Sequence, residues 1–142
     1  MATAPDMNDM EKWQFKQMAD QINQKFEYHH QKLGKARHPV RVNPSNEYII
    51  VKGESEQEVT AKRVAIFRRQ VDYGYMAYRS GWEEVTDWIS SSECAKWCME
   101  NAAVPLHLIY QQNHASMAWN FAILAYFEPK VLTAYLLKWP EQ

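Results

Sequence analysis

The sequence predicts a mainly α fold: a bundle of about five helices with one small β-hairpin after the first helix. Three observations predict it. Apolar residues recur at helical spacing from Met10 to Leu33, Ser55-Glu56-Gln57-Glu58 has the form of a helix-opening capping box, and nothing from Asn101 to Phe127 carries a formal charge. A chain of 142 residues is the size of one hydrophobic core. Residues 1–9 are expected to form a flexible tail and residues 10–142 a single globular domain.

In the first helix Phe15, Met18, Ala19, Ile22, Phe26 and Leu33 form the apolar stripe, with Lys12, Lys16, Asp20 and Gln24 off it. Asp9 is placed to cap its start and Gly34 to stop it. Two β-rich runs then flank Asn43-Pro44-Ser45-Asn46, which puts proline at the second position of a type I turn and predicts the hairpin, whose second arm ends before Gly53. From the capping box a second helix is expected, with Val59, Ile66, Phe67, Val71, Tyr75 and Tyr78 inward and Ser80-Gly81 as its end. Gly74 loosens such a helix by about 1 kcal/mol relative to alanine.

The remainder reads as helical throughout. Trp82 to Ile89 makes a short turn or helix, and Ser91 or Ser92 caps another that runs through Asn101. Pro105 opens a stretch to Phe127 in which Leu106, Tyr110, Asn113, Met117, Phe121 and Leu124 make one stripe, while Leu108, Trp119, Ile123 and Tyr126 fall elsewhere. A helix apolar nearly all round belongs at the centre of a bundle. Pro129 starts a last helix carrying Val131, Leu132, Tyr135, Leu136 and Trp139, and Pro140 ends it.

Pro105, Gln111, Gln112, Asn113, His114 and Asn120 interrupt the uncharged stretch, so no membrane span is expected. The N-terminus has neither the basic start nor the apolar core of a secretory signal, and two cysteines suit a reducing compartment. The expected location is cytoplasmic.

Little in the sequence carries catalytic chemistry. Cys94, Cys98, His107 and His114 are zinc-type ligands, but their spacing follows no standard zinc pattern, and the two cysteines read as packed thiols on one helix face. A cysteine nucleophile needs an activating base, and nothing places His107 or His114 beside either thiol. Phosphate loops, His-Glu-x-x-His pairs and Gly-x-Ser-x-Gly elbows are absent. No catalytic residue, metal or cofactor is expected.

Charge is the better guide. Residues 28–79 sum to +5, between segments of −2 and −4, within a chain of net charge −1. Lys35, Arg37, Arg41, Arg63, Arg68 and Arg69, with Tyr73 among them, could meet an anionic partner or single-stranded nucleic acid. A helix-turn-helix over Glu93 to Asn113 fails, because its reading helix would hold no lysine or arginine. Six tryptophans exceed what one small core usually buries, and any left outside would anchor a protein. The leading expectation is a small non-catalytic interaction protein that binds a protein partner; the alternative is RNA or single-stranded DNA binding through residues 28–79.

Overall fold

The computed structural model describes residues 9–34, 42–52, 57–72 and 77–140. Among these the chain forms α1 (Asp9–Lys32), β1 (Tyr48–Lys52), β2 (Glu58–Asp72), α2 (Ala77–Ser91), α3 (Glu93–Asn101), β3 (His107–Asn113), β4 (Ala118–Phe127) and α4 (Pro129–Lys138). The strands make one curled antiparallel sheet in the order β1-β2-β4-β3, with helices packed on one face. This overturns the five-helix bundle: two segments expected to be helices are the long strands of a sheet.

The first is β2. Its register with β4 pairs Ala65 with Leu124 and Phe67 with Ile123, so Ile66 is an extra residue in a β-bulge. Before the bulge Val64 turns to the helices; after it Phe67 and Val71 do, and Ile66 itself is buried with them. That one-residue slip brings Ile66, Phe67 and Val71 to one side at a spacing that imitates a helix stripe, whereas Val59, expected in the same stripe, packs in the cluster on the opposite face. Ser55 and Glu56 of the expected capping box lie outside the described residues; Glu58 begins β2.

The second is the uncharged stretch, which is the hairpin of β3 and β4. Trp119, Phe121, Ile123, Ala125 and Phe127 alternate along β4 and are all buried on the helix side, while Ala118, Leu124 and Tyr126 are buried on the other. A strand covered on both faces is apolar all round, as a central helix is, so composition does not separate them. Its turn hides as well. Asn113 Oδ1 accepts from the amides of Ala115 and Ser116 at 3.1 and 3.2 Å, and Met117 takes the left-handed position (φ 55°) that a glycine would have advertised.

Other elements agree with expectation. In α1, Phe15, Ala19, Ile22 and Phe26 are buried, and Gly34 follows the helix with φ +71°, its amide bonded to Gln31 O. Leu33 lies outside that stripe, exposed. Ser92 caps α3 by accepting from Ala95 N at 3.2 Å, and Pro129 opens α4. The turn at Asn43-Pro44-Ser45-Asn46 forms, and Tyr48–Lys52 is a strand, but β1 pairs with β2. Of the expected first hairpin arm, residues 38–41 lie outside the described residues. Gly81 does not end a helix; it sits inside α2.

Two clusters hold the layers together. On the helix side Phe15 packs its ring against Trp82, Tyr110 and Trp119 at 5.5, 5.3 and 4.8 Å between centroids, joining α1 and α2 to β3 and β4. Farther along, Tyr135 of α4 stacks on Phe127 at 5.0 Å beside Trp97 and Trp139. On the opposite face Val51, Ala61, Ala103, Val104 and Tyr126 form a smaller cluster. The β3 edge is closed by α1: Asn23 accepts from Leu108 N at 2.7 Å and donates to Leu108 O at 3.2 Å, so one side chain supplies the bonds of an absent strand.

Candidate functional site

Two places combine accessible surface with chemistry. One is a cleft of about 480 Å³ between α1, the 42–44 turn and the segment leading into β3. From α1 come Lys16, Asp20, Asn23, Gln24 and Glu27, one stripe at helical spacing; opposite stand Pro44, Leu106, His107 and Tyr126. Two bonds fix the turn wall: the Tyr126 hydroxyl donates to Asn46 O, and Arg63 Nη1 donates to Pro44 O at 2.6 Å. Asp20 holds Lys16 at 2.9 Å, an exposed pair that raises the lysine pKa through its hydrogen bond and charge.

Burial pushes the His107 pKa below its ordinary value, with the nearby Glu27 carboxylate opposing. The folded state therefore resists protonating this imidazole, and the unfolded state binds more protons as pH falls from about 6.5. Stability contributed by neutral His107 is present above that pH and is lost on acidification. Urea midpoints measured across that window should fall with pH, and His107→Gln should flatten the fall; an unchanged slope would contradict it.

The other place is the outer side of the sheet at β1 and β2. β2 is fifteen residues long, but β1 pairs only with Glu58 to Lys62, and one further bond runs from Arg63 N to Glu47 O at 2.8 Å. From Val64 to Asp72 the strand has β4 on one side and no described strand on the other. Arg68, Arg69 and Gln70 are accordingly three exposed residues in succession, although β2 lies second in the sheet. On β1, opposite Lys62 and Thr60 and before the open half begins, Tyr48 and Ile50 are 53% and 68% exposed. Phe67 and Trp88 of α2 pair at 5.0 Å between centroids and are only half-buried.

No family model, curated protein or solved structure matches this chain. Its chemistry rests on its own geometry.

The residues expected at a binding site are not all brought together. Arg68 and Arg69 are neighbours on a strand and point to opposite faces: Arg68, opposite Ala122, is on the face away from the helices, and Arg69 reaches Glu84 of α2. Arg63, opposite Tyr126, shares the face of Arg68, with its guanidinium turned to Pro44. Lys35, Arg37, Arg41 and Tyr73 lie outside the described residues. The tryptophans supply little free surface: Trp82 and Trp119 are buried, Trp88, Trp97 and Trp139 half-buried, and Trp13 is 58% exposed. Sequence reasoning missed Tyr48, Ile50 and the α1 face of the cleft. Nothing in the run Tyr48-Ile49-Ile50-Val51-Lys52 marks Ile50 as the exposed isoleucine, because its faces are set by pairing with β2.

Cys94 and Cys98 are both buried under α3, with their sulfurs 4.0 Å apart. Burial pushes both thiol pKa values up, and the Tyr135 hydroxyl beside Cys94, itself without a conventional hydrogen-bond partner, is raised with them. Among the described residues no three histidine, cysteine or acidic side chains gather as a metal cluster. Iodoacetamide should label neither thiol of the native protein on the timescale on which it labels both in urea; fast labelling of native Cys98 would contradict this placement.

Proposed function

We propose that the protein is a small non-catalytic interaction module whose partner is another protein, held along the outer side of the sheet at β1 and β2. The observation that carries this reading is that β2 from Val64 to Asp72 has no described strand on its outer side, with the exposed Tyr48 and Ile50 farther back on β1. An exposed strand edge with large apolar side chains beside it is a liability in a free protein, and natural chains usually cover it. No described helix is long and apolar enough to cross a membrane.

Purification from the native host supplies the test. A partner should co-purify at constant ratio with the wild type and be lost from Ile50→Asp, while the urea midpoint of that variant stays near the wild-type value, because the side chain is already in water. A partnerless wild-type protein, or a partner retained by the variant, counts against the reading.

RNA or single-stranded DNA binding is the second reading, supported by Arg63 and Arg68 on one face of β2. The divergence of Arg69 and its pairing with Glu84 leave it fewer convergent cations than the sequence suggested. Such binding would weaken steeply with salt and be lost from Arg68→Glu.

A further inference from the structure

The open edge of β2 also says what kind of segment would complete it. Building on the protein-binding reading, we propose that the partner contributes an extended, acidic segment that adds as a strand to β2 from Val64 to Asp72. In an antiparallel strand alternate residues turn their amide and carbonyl outward, so this half of β2 offers a row of backbone donors and acceptors away from β4. The side chains along that row set the chemistry on each face.

On the face away from the helices stand Arg68, at the middle of the open edge and with no ion pair among the described residues, and Asp72 at its far end, so a carboxylate is favoured across from Arg68 and disfavoured across from Asp72. A carboxylate directly across the new ladder would pair with Arg68. On the helix face the conditions are reversed. Arg69 is already neutralised by Glu84, and Asp87 lies one helical turn farther along α2, so another carboxylate on this side meets like charge. What this side does offer is the half-buried Phe67 and Trp88 pair, on which an apolar side chain could finish its burial. Successive strand residues point to opposite faces, so the two conditions together specify alternation of acidic and apolar residues.

A second copy of the chain fits less well. Pairing this edge with its own copy about Arg68 sets Arg68 opposite Arg68 and each Arg69 opposite a Phe67, placing like charges across the ladder. Pairing about Gln70 would instead set Arg68 opposite Asp72 but engages only residues 68–72, so a separate strand with a carboxylate at Arg68 uses more of the edge.

The test uses the full chain and peptides of about nine residues, the length of the open edge. One alternates glutamate with valine, one alternates lysine with valine, and a third is the acidic peptide with alternate amides N-methylated on its ladder-facing side; a single-stranded DNA of similar charge is the fourth probe. The acidic peptide should bind, and binding should slow hydrogen exchange of outward amides between Val64 and Asp72 by about tenfold or more while β3 amides are unchanged. The lysine and N-methylated peptides should not bind. Arg68→Glu should weaken the acidic peptide by about tenfold or more and admit the lysine peptide.

Failure to bind the acidic peptide, binding without new protection at 64–72, or an unchanged preference in Arg68→Glu would overturn the proposal. So would tighter binding of the DNA, or protection of this edge that grows with protein concentration alone, which would give the edge to a second copy. The protein-binding reading fails separately: a host partner lost from Ile50→Asp but retained by Arg68→Glu would keep that reading and remove the acidic strand.

Discussion

Replacing Phe121 with alanine is expected to lower the unfolding free energy by about 3–5 kcal/mol, the range for removing a fully buried aromatic ring. Phe121 is 1% exposed at the middle of β4, with Trp82 of α2 edge-on at 5.1 Å and Phe15 of α1 stacked at 6.1 Å. Three elements therefore lose contacts at once, and rigid aromatic neighbours cannot collapse to fill the space. A domain of this size has about 5–15 kcal/mol in total, so the variant should lose a large part of its stability. Urea denaturation with an unchanged slope would read the loss directly, and a change below about 1 kcal/mol would show that the ring is not packed as described.

The second large effect runs against local propensity. In a helix interior, alanine is normally more favourable than glycine by about 1 kcal/mol. At Gly81 of α2 we expect the reverse, a loss of about 1–3 kcal/mol in Gly81→Ala, as for other overpacked sites. A β-carbon there would meet the Phe121 ring, with Cζ at 2.7 Å, and that ring is already held by Phe15 and Trp82. The glycine lets α2 approach β4. A double-mutant cycle gives the sharper measurement: in a Phe121→Ala background the same change should be neutral or stabilising, because the obstacle is gone. Additive losses would mean that the two residues do not meet.

The helix ends were legible because their signals are local. Gly34 after α1, Ser92 before α3 and Pro129 at the start of α4 each act within a turn of their own position. The inward residues of α1 were legible too, since a surface helix separates its faces clearly. The strands were not. β2 carries a bulge at Ile66 that brings Ile66, Phe67 and Val71 to helical spacing, and β4 is buried on both faces over most of its length, which masks the alternation of Trp119, Phe121 and Ile123. The hairpin between β3 and β4 turns through Met117 rather than glycine, so its usual marker is missing.

The candidate site was legible in part. Arg68 stood out in the sequence and lies on the open edge, whereas Arg69, singled out with it, is engaged by Glu84 across the layer. The excess of tryptophan suited an aromatic-rich core, where most of those rings lie, and the exposed apolar residues of β1 are Tyr48 and Ile50. Trp88 matters for its half-burial against Phe67, a property of how α2 lies on β2.

By itself the sequence determined the cap at Ser92, the stop at Gly34, the start of α4 at Pro129, the amphipathic face of α1, the turn at Asn43 to Asn46 and the concentration of positive charge in the middle of the chain, but not the capping box or the stop at Gly81. Each of these depends on bonds and side chains within a few residues of one another. Tertiary structure alone decided that residues 58–72, 107–113 and 118–127 are strands, that Arg68 and Arg69 part company, and that β2 from Val64 to Asp72 has β4 on one side and no described strand on the other. Those outcomes depend on pairing between segments far apart in the chain, where the burial available in a shared sheet outweighs local helical preference.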